Sequence, residues 1–383
     1  MESGRQRGSD RGERRWARGG VMVVVISAAA AVGACSDWTT APERAALEEL
    51  PTDLAAVTFE AEGRPTVPYV LLELSHDGGF RGYVAVNGEG RPVWYFRTEG
   101  GPVGAARRRN GNFVFVDHER GLLEVTVDGD VVHELPHDEE SGRYAHHDVT
   151  ATSRNTLLFI AKDTRPWEDG EITGDAIWEW DPEADAVVRR WSAFDHLDPA
   201  VDWGPRSRPG DWLHANSLTI GPRGNVVLSL HFLDQVLSIE PDFGGLEWRL
   251  GGTGATIPVD DPFSGQHTAA EVRPNRVLLF DNGFAREEER YSRAAEYELR
   301  EGMAHKVWEW RPERDNWARI ISSAMRLPNG NTMVAFGTGD GVGPLVTGPI
   351  EVYEVTRAGA VLWHLELGGE VTAMYRATPL FDL

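Results

Sequence analysis

The chain has 383 residues, with 38 basic and 60 acidic side chains and a net charge of −22. Hydrophobic residues at 41% beside charged residues at 26% describe a packed globular body and exclude a disordered one. The single cysteine excludes an internal disulfide framework and any multi-cysteine metal site. The acidic balance, with no basic block beyond the N-terminal region, excludes a nucleic-acid footprint.

The first element is a leader. Arg5, Arg7, Arg11, Arg14, Arg15 and Arg18 precede an uncharged run from Val21 to Ala34. A basic stretch followed by a short apolar one reads as a secretory signal over 1–34. The run falls short of the roughly 20 residues that cross a bilayer. Val32-Gly33-Ala34 leads into Cys35, the spacing of a bacterial lipobox, so Cys35 is expected to carry lipid and to begin the mature protein. Ser36 then points to the outer membrane. The expected location is its periplasmic face or the cell surface, held by the lipid anchor. Residues 35–66 read as a tether with one short helix over Pro42–Leu50.

Residues 67–383 are built on a repeat. A Gly/Asn turn precedes a β-rich run at Asn110-Gly111-Asn112, Arg154-Asn155, Gly224-Asn225, Pro274-Asn275 and Asn329-Gly330-Asn331. Tryptophan-bearing runs follow the same rhythm, around Trp94, Trp178, Trp248, Trp308 and Trp363. The interval of roughly 45 to 70 residues, the alternation and the turns predict an all-β, six-bladed β-propeller. The blades are expected near 67–98, 99–136, 144–194, 212–250, 265–311 and 318–368. The tail from Val371 to Phe381 is placed to close the ring on the first blade.

Three of the 12 histidines share one repeat position. His147, His214 and His267 each lie at the start of a blade's first strand, the strand that lines the channel. They are expected to converge at one mouth. The same alignment puts Gly101 and Ile320 there in two other blades. His76, His118, His133, His137, His196, His305 and His364 follow no pattern and read as structural or solvated. Trp203, Trp212, Phe232, Phe263, Phe284 and Trp317 are aromatic candidates for the mouth.

AHHDV (145–149), LHANSL (213–218), GQH (265–267) and LLFDNG (278–283) resemble motifs of the bacterial and fungal arylsulfotransferases that use no nucleotide sulfate donor. The resemblance implies a six-bladed propeller that moves a sulfuryl group from an aryl sulfate donor to a phenolic acceptor. It implies a ping-pong course through a sulfohistidine, with His267 as nucleophile and no cofactor. It places His147, His214 and Asn216 around the sulfuryl oxygens. The family carries an arginine shortly after the HxNS motif; here His231 stands there, so a positive charge at that point requires its protonation. Two other readings of the same residues stay open. The channel histidines also read as ligands of a metal-dependent hydrolase or lyase, and the molecule as a lipid-anchored propeller scaffold without catalysis.

Overall fold

The computed structural model describes residues 47–76, 79–138, 141–286, 288–337, 349–369 and 371–383. The expected leader and lipobox, with Cys35, lie outside them. Strands are numbered in chain order, and β1 (Val57–Gly63) precedes the blades.

Blade one is β2 (Tyr69–Ser75), β3 (Arg81–Asn87) and β4 (Pro92–Arg97). Blade two is β5 (Pro102–Arg107), β6 (Phe113–Asp117), β7 (Gly121–Val125) and β8 (Val131–Pro136). Blade three is β9 (Ala145–Ala151), β10 (Leu157–Trp167), β11 (Gly170–Asp181) and β12 (Ala186–Ser192). Blade four is β13 (Ala215–Ile220), β14 (Val226–Leu230), β15 (Gln235–Ile239) and β16 (Leu246–Leu250). Blade five is β17 (His267–Arg273), β18 (Arg276–Asp281), β19 (Arg293–Arg300) and β20 (Met303–Trp310). Blade six is β21 (Ser323–Arg326), β22 (Thr332–Phe336), β23 (Ile350–Val355) and β24 (Val361–Gly369).

The ring closes twice. The last strand, β25 (Ala373–Leu380), is the innermost strand of blade one, in the order β25-β2-β3-β4. β1 pairs with β24 and becomes the outer, fifth strand of blade six. The tail therefore closes blade one as the sequence implies. The expected tether is shorter than 35–66, because Val57, Phe59 and Ala61 alternate against blade six. Residues 47–50 are not helical; the rest of the helix expected over Pro42–Leu50 lies outside the described residues.

The middle strands are buried on both faces, as in Phe113–Asp117 and Val226–Leu230. This is why they read as near-continuous apolar runs. Three of the five repeated tryptophans share a task. Trp94 donates its indole N–H to the Val127 carbonyl (2.8 Å), Trp308 to Arg357 (3.0 Å) and Trp363 to Gly88 (2.9 Å). Each acceptor lies in the outer hairpin of the next blade, so each tryptophan joins neighbours through burial and a satisfied N–H.

Around the channel, side chains of one inner strand accept backbone N–H groups of the next. Glu73 accepts from Gly104, Asp148 from Leu218, Ser217 from Ala269 and Thr268 from Ala324, all at 2.8–3.0 Å. Ser323 accepts from Ala377 at 3.3 Å. Deep in the channel, Arg376 of β25 pairs with Asp148 at 2.7 Å, both nearly sequestered from water. These polar bridges hold the starts of the inner strands in a fixed ring.

Candidate active site

The site grows from irregularities at those strand starts. Bulges interrupt the pairing of β9, β13 and β17 with their neighbours, which re-aims the side chains there. His147, His214, Thr268, Ile321 and Ser322 all take positive φ, between 47° and 88°. For β-branched Thr268 and Ile321 this is a costly conformation, and it is concentrated where the blades meet the channel mouth. In blade two the matching left-handed bulge residue is Gly104, not Gly101, because counting from the turn skips the bulge.

The result is a cavity of about 530 Å³ lined by His147, His214, His231 and His267, by Phe232, Phe284, Ile320, Ile321 and Tyr375, and by Arg206, Arg208 and Arg319. Three grooves of 610–650 Å³ lie elsewhere, but no histidine lines them. The rings form an arc. Centroids of His147 and His214 are 4.7 Å apart, of His214 and His231 5.4 Å, and of His231 and His267 5.1 Å. Tyr375 stands 6.1 Å from His147 and 6.3 Å from His267, spanning the ends.

His267 is buried and its tautomer is fixed. The Asn282 amide donates through Nδ2 to the carbonyls of Ala318 (2.7 Å) and Ile321 (2.9 Å). Its Oδ1 must then face His267 Nδ1, 2.8 Å away, which makes Nδ1 the protonated nitrogen. Nε2 keeps its lone pair and accepts the Ile321 N–H at 3.2 Å. Burial pulls the His267 pKa down to about 3, against the supporting bond from Asn282 and with further lowering by His214 and Arg376. At neutral pH the ring is uncharged.

His214 has a different partner. Its Nδ1 lies 2.7 Å from the Asp211 carboxylate, which orients the ring. Asp211 is held below the usual carboxylate range, despite burial, by His214 and Arg208. His147 Nδ1 meets His146 Nδ1 at 2.8 Å. His146 Nε2 in turn lies 3.1 Å from Asp175, a close contact without an aligned hydrogen bond. Burial and the facing rings of His214, His146 and His118 hold His147 neutral.

His231 lines the cavity on a short 3₁₀ turn, His231–Leu233. Burial and the neighbouring His267, His214 and Arg206 push its pKa well below the histidine value. Positive charge at this wall comes from Arg206, which donates to the His231 carbonyl at 2.5 Å and pairs with Asp234, and from Arg208 and Arg319.

Asn216 is not brought to the cavity. It is fully buried and donates to the Gln266 carbonyl at 2.8 Å, which fixes the residue before His267. Gln266 itself reaches back to Ser229, Leu230 and Gln235. Gly265 has φ +61°, and a Cβ there would meet Phe284 at 2.9 Å and His231 at 3.1 Å. The GQH sequence is thus a close-approach glycine, a strut and the candidate nucleophile. Of the aromatic candidates, Phe232 and Phe284 line the cavity; Trp203, Trp212, Phe263 and Trp317 do not.

Sequence reading missed Asn282, Asp211, Tyr375 and the three arginines. Asn282 stands in LLFDNG and reads there as a hairpin turn. The other signal available was Asp211, three residues before His214. Among the described residues, ligand atoms converge in metal-binding fashion only at Glu351, His364 and Glu366 in blade six. The channel histidines do not converge in that way.

Comparison of folds finds a crystal structure of a protein of unknown function from Bacteroides caccae, 15% identical, TM-score 0.56, covering 82% of this chain and 99% of that one. Looser likenesses are a catalytically inactive virginiamycin B lyase from Staphylococcus aureus with quinupristin (10% identical, TM-score 0.42, 81% and 99% covered) and a gluconolactonase from Xanthomonas campestris (14%, 0.37, 86% and 98%). The first of these bears on the fold alone. No curated protein matches the chain. The family model for Arylsulfotransferase (ASST) matches residues 69–358, from the first blade into the outer hairpin of the sixth, and the chain belongs to that family.

Proposed function

We propose that the protein transfers a sulfuryl group from an aryl sulfate to a phenol, in two steps, through a sulfohistidine at His267. The observation that carries this reading is the amide lock on His267: a neutral ring, its proton held on Nδ1, its unprotonated Nε2 held only by the 3.2 Å contact from the Ile321 N–H, which attack on sulfur displaces. A neutral imidazole is a competent nucleophile toward sulfur and divides one hard displacement into two.

In the first step Nε2 attacks sulfur and the bond from sulfur to the aryl oxygen breaks. The departing phenolate takes a proton carried by His214, whose ring Asp211 orients. In the second step the acceptor phenol returns a proton to His214, its oxygen attacks sulfur and the N–S bond breaks. The two rings divide the work because one is oriented by an amide and the other by a carboxylate. The transition state is loose by analogy with phosphoryl transfer, so catalysis is positioning and charge stabilisation. The Ile321 N–H, already beside Nε2, is placed for a sulfuryl oxygen, and the arginines of the wall offset the negative charge. Phe232, Phe284 and Tyr375 supply aromatic walls for phenolic rings. The leader reading places this chemistry outside the cytoplasm, on a lipid anchor at Cys35.

The test is release of nitrophenol from 4-nitrophenyl sulfate with and without phenol and chelator. Phenol-dependent, chelator-insensitive release that disappears in His267→Ala supports the proposal. Release unchanged in the variant sinks it.

A further inference from the structure

A position on the third strand of each blade, just before a β-bulge, recurs through the ring. It holds Ala85, Glu124, Glu179, Ser238, Glu296 and Glu354 in blades one to six. Glutamates here are buried and latch a nearby turn. Glu354 takes only neutral donors, from Asn331 and Thr66. Glu124 is met by Arg108, Asn110, Asn112 and His133. Glu179 is met by two arginines, Arg154 and Arg189, and by Thr156. No more than two arginines meet the carboxylate at these places, and none meets Glu354 among the described residues.

Glu296 departs from that pattern. Arg326 donates to it at 2.6 Å and Arg357 binds it as well, while Arg273 and Arg276 stand at 3.7 Å. Four guanidinium groups therefore surround one carboxylate that is 1% exposed. A second carboxylate, Glu298, answers Arg276 at 2.7 Å but is itself shared with Arg300 at 3.3 Å. Five cations face two anions, in a chain whose net charge is −22. Self-repulsion disfavours such a surplus unless something negative joins it. Burial and the crowding of Arg357 and Arg273 pull Arg326 below the ordinary arginine pKa.

The surplus opens on a groove of about 640 Å³ between blades five and six, lined by Val272, Arg273, Glu296, Arg326, Arg357 and the turn 327–331. Trp308 holds two of the arginines from below, with Arg326 and Arg357 4.9 and 5.4 Å from its ring centre. Arg273 is 61% exposed at its side chain and reaches Glu296 only at ion-pair distance, so its fork remains open to a ligand. The groove is remote from the catalytic cavity. β17 begins at His267 and ends at Arg273, and six steps of strand span about 20 Å.

We infer that this groove is a second, non-catalytic site for a tetrahedral oxyanion group, sulfate or phosphate, with Arg273 as its principal ligand and Arg357, whose terminal nitrogens both reach Glu296, adding charge and its remaining N–H groups. Guanidinium forks match the oxygens of such a group in pairs, as a lysine does not. A free ion and the headgroup of an anionic lipid share this chemistry.

The test is calorimetric titration of the folded protein with inorganic phosphate and with inorganic sulfate, at ionic strength held constant by chloride. The same protein is tested for sedimentation with phosphatidylglycerol vesicles. Arg273→Ala and Arg357→Ala are run alongside, with nitrophenyl sulfate turnover as the control for an intact fold and catalytic cavity. The inference expects saturable binding of one ion at the groove, weakened about tenfold or more in each variant (about 1.4 kcal/mol per tenfold), with turnover unchanged. Vesicle binding lost in both variants, without binding of free ions, would assign the same site to a lipid headgroup. Neither ligand binding, or binding equal in wild type and both variants, would overturn it.

Discussion

At the scale of single residues, the account turns on what holds each histidine. Asn282 orients His267 without adding charge, and Asp211 orients His214 while adding it. Asn282→Asp would place a carboxylate on His267 Nδ1 and raise its pKa from about 3. The nucleophile is then protonated below the new pKa, and the rate gains an acid limb that the parent lacks above about pH 4. Asp211→Asn should instead slow phenyl sulfate, a poor leaving group, about tenfold more than 4-nitrophenyl sulfate. A pH–rate profile and a leaving-group series check both; equal losses on both substrates would make Asp211 merely structural. His147, His214 and His267 were legible because a repeat set them at one position. Asn282 was not, since LLFDNG is equally the sequence of a turn and its partners, Ala318 and Ile321, come from the next blade. Asn216 misled for the converse reason. Its side chain faces a neighbouring backbone carbonyl rather than the cavity, which no spacing reveals.

At the scale of elements, the strand that closes the ring also completes the site. β25 brings Tyr375 to the histidine arc and Arg376 to Asp148. Removing one partner of this pair leaves a buried charge unmatched. Arg376→Ala should therefore cost about 3–5 kcal/mol, read as a lower urea midpoint. An unchanged midpoint would mean that water or another group answers Asp148. The hairpins of the six blades and the closing tail were readable from turns and alternation. β1 was not. Its alternation over Val57–Gly63 is clear, but its partner β24 lies some 300 positions away, and a lone amphipathic strand next to a leader reads as linker. The bulges were equally invisible, and they are what place Gly104 and not Gly101 in register with His147.

At the scale of the molecule, many histidines are held neutral by a common enclosure. Burial lowers His118 to about 4 and His267 to about 3, and lowers His147 and His231 as well. Their unfolded forms take protons near pH 6.5, so between pH 6.5 and about 4 the unfolded chain binds more protons than the folded one. Stability is full above that window and falls as pH falls through it. Thermal unfolding at pH 7.5 and pH 5 should show Tm lower by several degrees at pH 5, with His118→Gln reducing the difference; a Tm that rises toward pH 5 would contradict this. The whole-molecule charge points the same way, since an acidic body must build its anion sites locally from arginine and histidine.

The central claim is the covalent intermediate on His267, and the most direct measurement is mass analysis of protein quenched during turnover. After mixing with 4-nitrophenyl sulfate without acceptor and quenching in base, the account predicts an added mass of about 80, that of SO₃. The label should map to the peptide bearing His267, vanish on adding phenol, and be absent from His267→Ala. Turnover with no such adduct, or an adduct on another residue, would contradict it.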